Sequence, residues 1–288
     1  MKIPKQLVVN CQKRPERKAW MDGLPFLLKQ LEARWSLRLG EPFEHAGSCS
    51  WIAPATRASG EPAVLKLAMP HMEGRDEISG LRFWKGRSIV ELLEADLESG
   101  AMLLERCLPG TTLLSESETR QDEVVATLLK QIWSLTRGPS DLSGFRPLSL
   151  MVELWCSETV AQRHLWPDTG LVSEGLRVFK ELARADLTDV LLATDLHAGN
   201  VMRSQREPWL VIDPKPFVGD RAYDPVQHLM NCETRLHRDP VELVRRVADL
   251  AAVDAERLRL WTFARAAADP RDDWKNARWM MTARKLAV

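Results

Sequence analysis

The chain is 288 residues long with an apolar fraction of 45%, more than one hydrophobic core normally organises, which predicts two lobes with ample material for burial. Forty Lys and Arg balance forty Asp and Glu, so the basic excess of a nucleic-acid binder is missing. No stretch approaches the roughly 18 consecutive apolar residues that a membrane span needs.

Near the N-terminus Leu24, Leu27, Leu28, Leu31 and Trp35 recur on one helical face and predict a helix packed on a sheet. Apolar strands follow over 50–55 and 63–68, joined by a hairpin turn at Arg57-Ala-Ser-Gly60-Glu-Pro. The second strand carries Lys66 in its middle, where a charge is costly unless it meets a partner or a ligand. A helix is expected over 73–84, then strands over 88–93 and 101–105 separated by an acidic turn at 94–100; these four strands belong to an expected five-stranded sheet. Arg106-Cys-Leu-Pro-Gly110 reads as a linker. Beyond it Ser117 opens a helix carrying Val124, Val125, Leu128, Ile132 and Leu135, with an acidic first turn suited to the helix dipole. A Gly, Pro and Ser loop spans 138–147, and helices are expected over 149–165 and 173–185. A strand at 190–193 and a hairpin formed by 201–203 and 209–212 come next, followed by helices over 225–236, 240–252, 254–267 and 272–285. The expected class is therefore α+β: an N-terminal lobe, 1–105, with a five-stranded antiparallel sheet and helices, a linker at 106–110, and a mainly helical lobe, 111–288.

The most informative stretch is Asp195-Leu-His-Ala-Gly-Asn200 followed by Trp209-Leu-Val-Ile-Asp213-Pro. Moving a terminal nucleotide phosphoryl to a hydroxyl requires an acid that orients the alcohol and oxygen ligands for magnesium. Asn200 lies five positions after Asp195, and Asp213 eighteen after it. The strand leading in and the hairpin leading back place both acids at strand ends. Taken singly, each reads more readily as an ordinary turn residue; the pairing across a hairpin shifts the balance toward the chemical role. His197, beside the acid, reads as a brace for the loop.

The run 194–201, continued by Pro208-Trp-Leu-Val-Ile-Asp-Pro-Lys-Pro-Phe-Val-Gly-Asp-Arg-Ala-Tyr-Asp224, resembles the aminoglycoside phosphotransferases, and within them the streptomycin and hydroxyurea phosphotransferase branch. The second half of the match is the more specific, because many small-molecule kinases share the Asp-Leu-His loop and fewer continue into Asp-Pro-Lys. Ala193-Thr194 stands where such kinases usually carry His-Gly.

The resemblance implies a protein-kinase-like bilobal fold that uses ATP and Mg2+, with Asp195 as the catalytic acid and Asn200 and Asp213 as metal ligands. It assigns Lys66 to the inner phosphates, with Glu77, from Glu77-Ile-Ser-Gly-Leu-Arg-Phe-Trp-Lys-Gly86, as its ion-pair partner and Glu73 as the competitor. His45-Ala-Gly47-Ser-Cys-Ser50 takes the place of a phosphate-covering loop, making Ser48 and Ser50 cofactor-binding candidates through their backbone amides. The backbone at Glu105 and Cys107 is expected to meet the adenine edge; the Cys107 thiol itself reads as packing.

The implied acceptor is a small-molecule hydroxyl, such as one on streptomycin, and the implied role is antibiotic inactivation. Two guanidinium groups on that acceptor call for an acidic pocket, with Glu153, Glu158, Asp220, Asp224 and Glu233 as candidates. Asp224 before Pro225 reads equally as a helix cap, and Lys215 either meets phosphate or sets the loop. Eleven tryptophans suit core packing, with Trp155 and Trp166 the two worth testing as substrate contacts. The alternatives are a kinase of another alcohol, hydroxyurea or a choline-like or fructosamine-like molecule, and a nucleotide-binding module without transfer. Five scattered cysteines, Cys11, Cys49, Cys107, Cys156 and Cys232, lack a Cys-x-x-Cys pair, and the opening residues lack a signal peptide. Both features predict a cytoplasmic protein.

Overall fold

The computed structural model describes residues 2–44, 49–70 and 72–287. The chain divides into two compact units: Met1–Gly110 with Ser204–Pro208, and Thr111–Arg203 with Trp209–Val288.

The first unit begins with α1 (Lys5–Cys11) and α2 (Pro15–Arg34). The sequence pattern announced only the second of these; α1 is short, and its buried residues are Leu7 and Cys11, one helical turn apart. Pro15 sits in the first turn of α2, where its missing N–H has no helical acceptor to lose. The sheet is β1 (Leu37–Leu39), β2 (Ser50–Arg57), β3 (Pro62–Ala68), β4 (Leu92–Asp96) and β5 (Ala101–Glu105), with α3 (Glu77–Trp84) between β3 and β4. Its order is β1-β2-β3-β5-β4, all pairs antiparallel. Alternation along β3 decides which face each residue serves. Ala63, Leu65 and Leu67 are fully buried in one cluster with Leu24, Leu28 and Leu31 of α2. Lys66, paired with Ile52 and Met102, turns to the opposite face.

The strand expected over 88–93 lies further on, at Leu92–Asp96. After α3 the backbone is left-handed at Lys85, Gly86 and Ser88, so Ile89 and Val90 are buried without joining the ladder. The edge of the sheet instead accepts Glu94 and Asp96, as solvent-facing edges do. The unit closes at Gly110, with φ 76°, where a Cβ would stand 2.9 Å from the Cys107 carbonyl oxygen. Only glycine fits that approach.

The second unit is built on helices α4 (Glu118–Trp133), α5 (Leu148–Ala161) and α6 (Thr169–Leu182). Two small antiparallel pairs follow: β6 (Val190–Leu192) with β9 (Phe217–Gly219), and β7 (Val201–Arg203) with β8 (Trp209–Val211). The chain ends in α7 (Asp224–Asn231), α8 (Glu233–Arg238), α9 (Pro240–Ala251), α10 (Ala255–Ala268) and α11 (Ala277–Leu286). Ser117, Asp168, Asp239, Asp254 and Asn276 cap their helices by accepting backbone N–H groups. The helix expected over 225–236 is broken at Cys232, whose φ of −90° and ψ of 42° are non-helical. Helix α10 is the central post, packing on α6, α7, α9 and α11. Its buried Ala267 and Ala268 permit close approach to Gly175 of α6, where a Cβ would come within 2.7 Å of the Ala267 Cβ.

Candidate active site

In the first unit, Lys66 Nζ and Glu77 Oε1 lie 2.5 Å apart with their side chains 3% and 1% exposed. A buried charge pair is retained at a desolvation cost, and losing either partner strands the other, which costs about 3–5 kcal/mol. Glu77 Oε2 is buried and accepts no hydrogen bond among the described residues. His45 to Ser48, including the candidate Ser48, and the side chain of Glu73 fall outside the described residues. Ser50 opens β2, 5% exposed, paired with Ala68. The Glu105 carboxylate is taken by Arg206 at 2.8 Å and by the Glu91 amide at 3.1 Å, and its N–H donates to the Glu91 carbonyl at 2.9 Å. That N–H is therefore committed inside the protein, and a backbone contact from Glu105 to an adenine edge would rest on its carbonyl. Burial pushes the Cys107 thiol up to about 12, leaving it an inert packed group.

In the second unit the loop after β6 turns sharply. Thr194 is left-handed, φ 47°, a conformation that β-branched residues avoid. The Ala193 carbonyl accepts from the Asp195 N–H at 2.7 Å and from the Lys215 N–H at 2.8 Å. Thr194 Oγ1 donates to the Lys215 carbonyl at 2.5 Å. Asp224, fully buried, accepts the N–H groups of Ala193 and Thr194 and the indole N–H of Trp133, at 3.1, 2.7 and 2.8 Å. Burial pushes its carboxyl up to about 6 against those three donors. Asp224 thus holds the turn that presents Asp195 and is out of reach of any acceptor. Nor does it cap α7, which begins at Asp224 itself with Tyr223 at the cap position.

Asn200 closes a short 3-10 turn and donates from Nδ2 to the Asp195 carbonyl at 3.0 Å and to Asp195 Oδ2 at 3.3 Å. This turns its own amide oxygen away from Asp195. Gln227 Nε2 donates to Asp195 Oδ1 at 3.0 Å. The Ile212 N–H donates to the Asn200 carbonyl at 2.9 Å, continuing the β7–β8 ladder and bringing Asp213 to the same end of the hairpin. Asp213 is left-handed, φ 54°, and its Oδ1 is ion-paired with Lys215 Nζ. His197 Nδ1 accepts the Gly199 N–H at 3.1 Å. Burial and neighbouring His228 depress that ring to about 4, keeping it neutral as an acceptor requires. It braces the loop.

Asp195, Asn200, Asp213 and Lys215 are thus brought together within one loop cluster. The amide oxygen of Asn200 and the carboxylate of Asp213 are hard oxygen donors suited to magnesium. Lys215 already places a positive charge against Asp213, as expected at a carboxylate built to face a cation.

The remaining acceptor candidates lie elsewhere. Asp220 is committed to Arg257 at 2.7 Å, to the Trp261 indole at 2.8 Å and to the Ala222 N–H at 2.9 Å, so it is structural. Glu233 pairs with His237 one turn along α8. Glu153 and Glu158 are exposed on α5, and among the described residues neither has an ion-pair partner. Trp166 bonds the Thr159 carbonyl and leans on Trp274, and Trp155 lies under the Arg265 guanidinium at 4.7 Å. The bracing by Asp224 and Trp133 and the contact from Gln227 were not read from sequence; these partners lie 91 and 32 positions from the groups they hold.

The sheet-plus-helices architecture and the Asp-Asn-Asp loop cluster define a protein-kinase-like phosphotransferase. Solved structures agree on the fold: choline kinase LicA from Streptococcus pneumoniae has a TM-score of 0.62 at 14% identity, covering 91% of this chain and 98% of its own. Macrolide 2'-phosphotransferase type I gives 0.55 at 17% identity, covering 92% and 97%. The chain belongs to the aminoglycoside/hydroxyurea antibiotic resistance kinase family, whose model matches residues 34–271. It is similar to streptomycin 6-kinase of Streptomyces glaucescens, 34% identical with 92% of this chain and 88% of that protein covered. Hydroxyurea phosphotransferase of Kitasatospora aureofaciens is 35% identical over 85% of this chain and 72% of its own length. The chain is accordingly an ATP-using phosphotransferase acting on a hydroxyl of a small molecule. Among the described residues no helix is long and apolar enough to cross a membrane.

Proposed function

We propose that the chain transfers the γ-phosphoryl group of ATP to a hydroxyl of streptomycin and so inactivates the antibiotic. The observation that carries this reading is the Asn200 amide, which holds Asp195 with its nitrogen and turns its oxygen outward, near the end of the hairpin that bears Asp213. Asp195 accepts a hydrogen bond from the acceptor hydroxyl and aligns it for in-line attack on phosphorus. The new bond forms from the alcohol oxygen to phosphorus as the bond to the ADP oxygen breaks, and the hydroxyl proton passes to Asp195. Magnesium, held by Asp213 and Asn200, would neutralise the charge of the phosphate oxygens. Lys66, oriented by Glu77, binds the inner phosphates, and the Cys107 backbone meets the adenine edge. Glu153 and Glu158 remain our candidates for contact with a cationic acceptor. Five cysteines without a disulfide among the described residues support work in a reducing cytoplasm.

The test is phosphate transfer from ATP to streptomycin by purified protein, with hydroxyurea as a parallel acceptor because of the relative of that name. The product's modified hydroxyl is mapped, and transfer should stop on chelation of the metal. Asp195→Asn should lose turnover by about three orders of magnitude or more while retaining nucleotide affinity. Turnover of hydroxyurea with none of streptomycin would transfer the assignment to that acceptor.

A further inference from the structure

A network on the far side of Asp195 from Asn200 involves residues that the motif does not contain. Gln227, on α7, donates from Nε2 to Asp195 Oδ1 at 3.0 Å. Its Oε1 accepts from Arg265 Nη1, on α10, at 3.2 Å. A guanidinium has donors only, so it fixes the polarity of the amide it touches. A flipped Gln227 would set N–H against N–H at Arg265 and carbonyl oxygen against carboxylate at Asp195, two repulsive contacts in place of two bonds.

Arg265 cannot turn away to relieve this constraint. It is 7% exposed. Its Nε donates to Asp269 Oδ2 at 2.6 Å, its Nη1 also reaches the Tyr223 hydroxyl at 3.2 Å, and its face lies on Trp155 at 4.7 Å. Cation, carboxylate and ring together define one orientation for the guanidinium.

We propose that Gln227, its amide polarity set by Arg265, is a positioning residue that holds Asp195 Oδ1 so that the carboxylate faces the acceptor hydroxyl. With Asn200 on Oδ2, both carboxylate oxygens receive a neutral N–H donor from a different element. Two donors carried by different elements fix the orientation of the carboxylate, and the interposed amide transmits to it the fixed position of Arg265. The proposal rests on Asp195 as the group that orients the acceptor.

Two substitutions test it in steady-state kinetics with ATP and the acceptor that the chain phosphorylates. Gln227→Glu keeps an acceptor for Arg265 and puts a second carboxylate oxygen against Asp195. Gln227→Met keeps the volume and removes both polar atoms. In each, kcat should fall about tenfold with KM for ATP within about twofold, since one charge-assisted bond is lost at the acceptor side. A purely structural role would lower the amount of folded enzyme and leave kcat per folded molecule at the parental value. Either folded variant decides the matter: parental kcat per folded enzyme, beside an inactive Asp195→Asn, overturns the proposal. Full transfer by Asp195→Asn would instead remove the reading beneath it, and the proposal with it.

Discussion

Thr194 occupies a backbone conformation that its side chain opposes, and the family's usual glycine at this place follows from the same geometry. With φ at 47°, any residue bearing a Cβ is strained relative to glycine by about 1–2 kcal/mol. Threonine offsets this with the Oγ1 hydrogen bond to the Lys215 carbonyl, worth about 1 kcal/mol. Thr194→Ala keeps the strain and loses the bond, so it should cost about 1 kcal/mol or slightly more. Thr194→Gly loses the bond and about 0.5–1 kcal/mol of chain entropy but releases the strain, for a net change near zero. The glycine variant should therefore be the more stable of the two by about 0.5–1 kcal/mol, the reverse of the ordinary preference for alanine. Urea unfolding at constant m-value measures it, and transfer activity should be preserved in the glycine variant because the bonds to Asp224 use backbone N–H groups. An alanine variant as stable as the parent, with glycine below both, would refute the claim that the left-handed turn at Thr194 is what the hydroxyl compensates.

Glu77→Gln should raise KM for ATP about tenfold or more and lower stability, since the buried Lys66 would lose its carboxylate partner; isothermal titration with ATP and a thermal melt separate the two effects. The buried His228 ring, beside Asp122 at 2.9 Å, supplies a pH test of the helical unit. Burial opposes its charge, but the bond to Asp122 outweighs burial and raises the ring from 6.5 to about 9. A folded pKa above the unfolded one stabilises fully below pH 6.5, and the contribution is lost as pH rises through 9. Urea midpoints should fall across that window by the equivalent of about 3 kcal/mol at most. His228→Gln should flatten the slope, and an unchanged slope would assign it to other groups.

Local signals carried much of the fold. Lys66 was legible because a charge interrupts an alternating apolar strand, and the same alternation puts Leu65 and Leu67 on the helix-covered face. Spacing and hairpin geometry likewise brought Asp195, Asn200 and Asp213 into one loop cluster. What was hidden depended on distant partners. Ile89 and Val90 are buried as their apolarity predicts, yet the left-handed turn at Ser88 keeps them out of the ladder and shifts the strand four residues from the expected start, to Leu92. Asp220 and Asp224 looked like pocket acids because their indole partners, Trp261 and Trp133, come from helices far along the chain.

Four aspartates fall within thirty positions here, and the chemistry each can perform follows from who donates to it. Asp224 is closed by three N–H groups inside the core, and Asp220 by a guanidinium, an indole and a backbone amide. Asp213 meets an ammonium, a charge that a metal ion could share or displace. Asp195 is half-buried and takes a side-chain amide on each of its oxygens. Each carboxylate oxygen has more than one lone-pair site, so such a group can be held still and yet accept a further bond from an alcohol. The division arises from placement: a carboxylate closed by core N–H groups supports the structure, whereas one steadied by side-chain amides at a partly open surface can still accept from an alcohol.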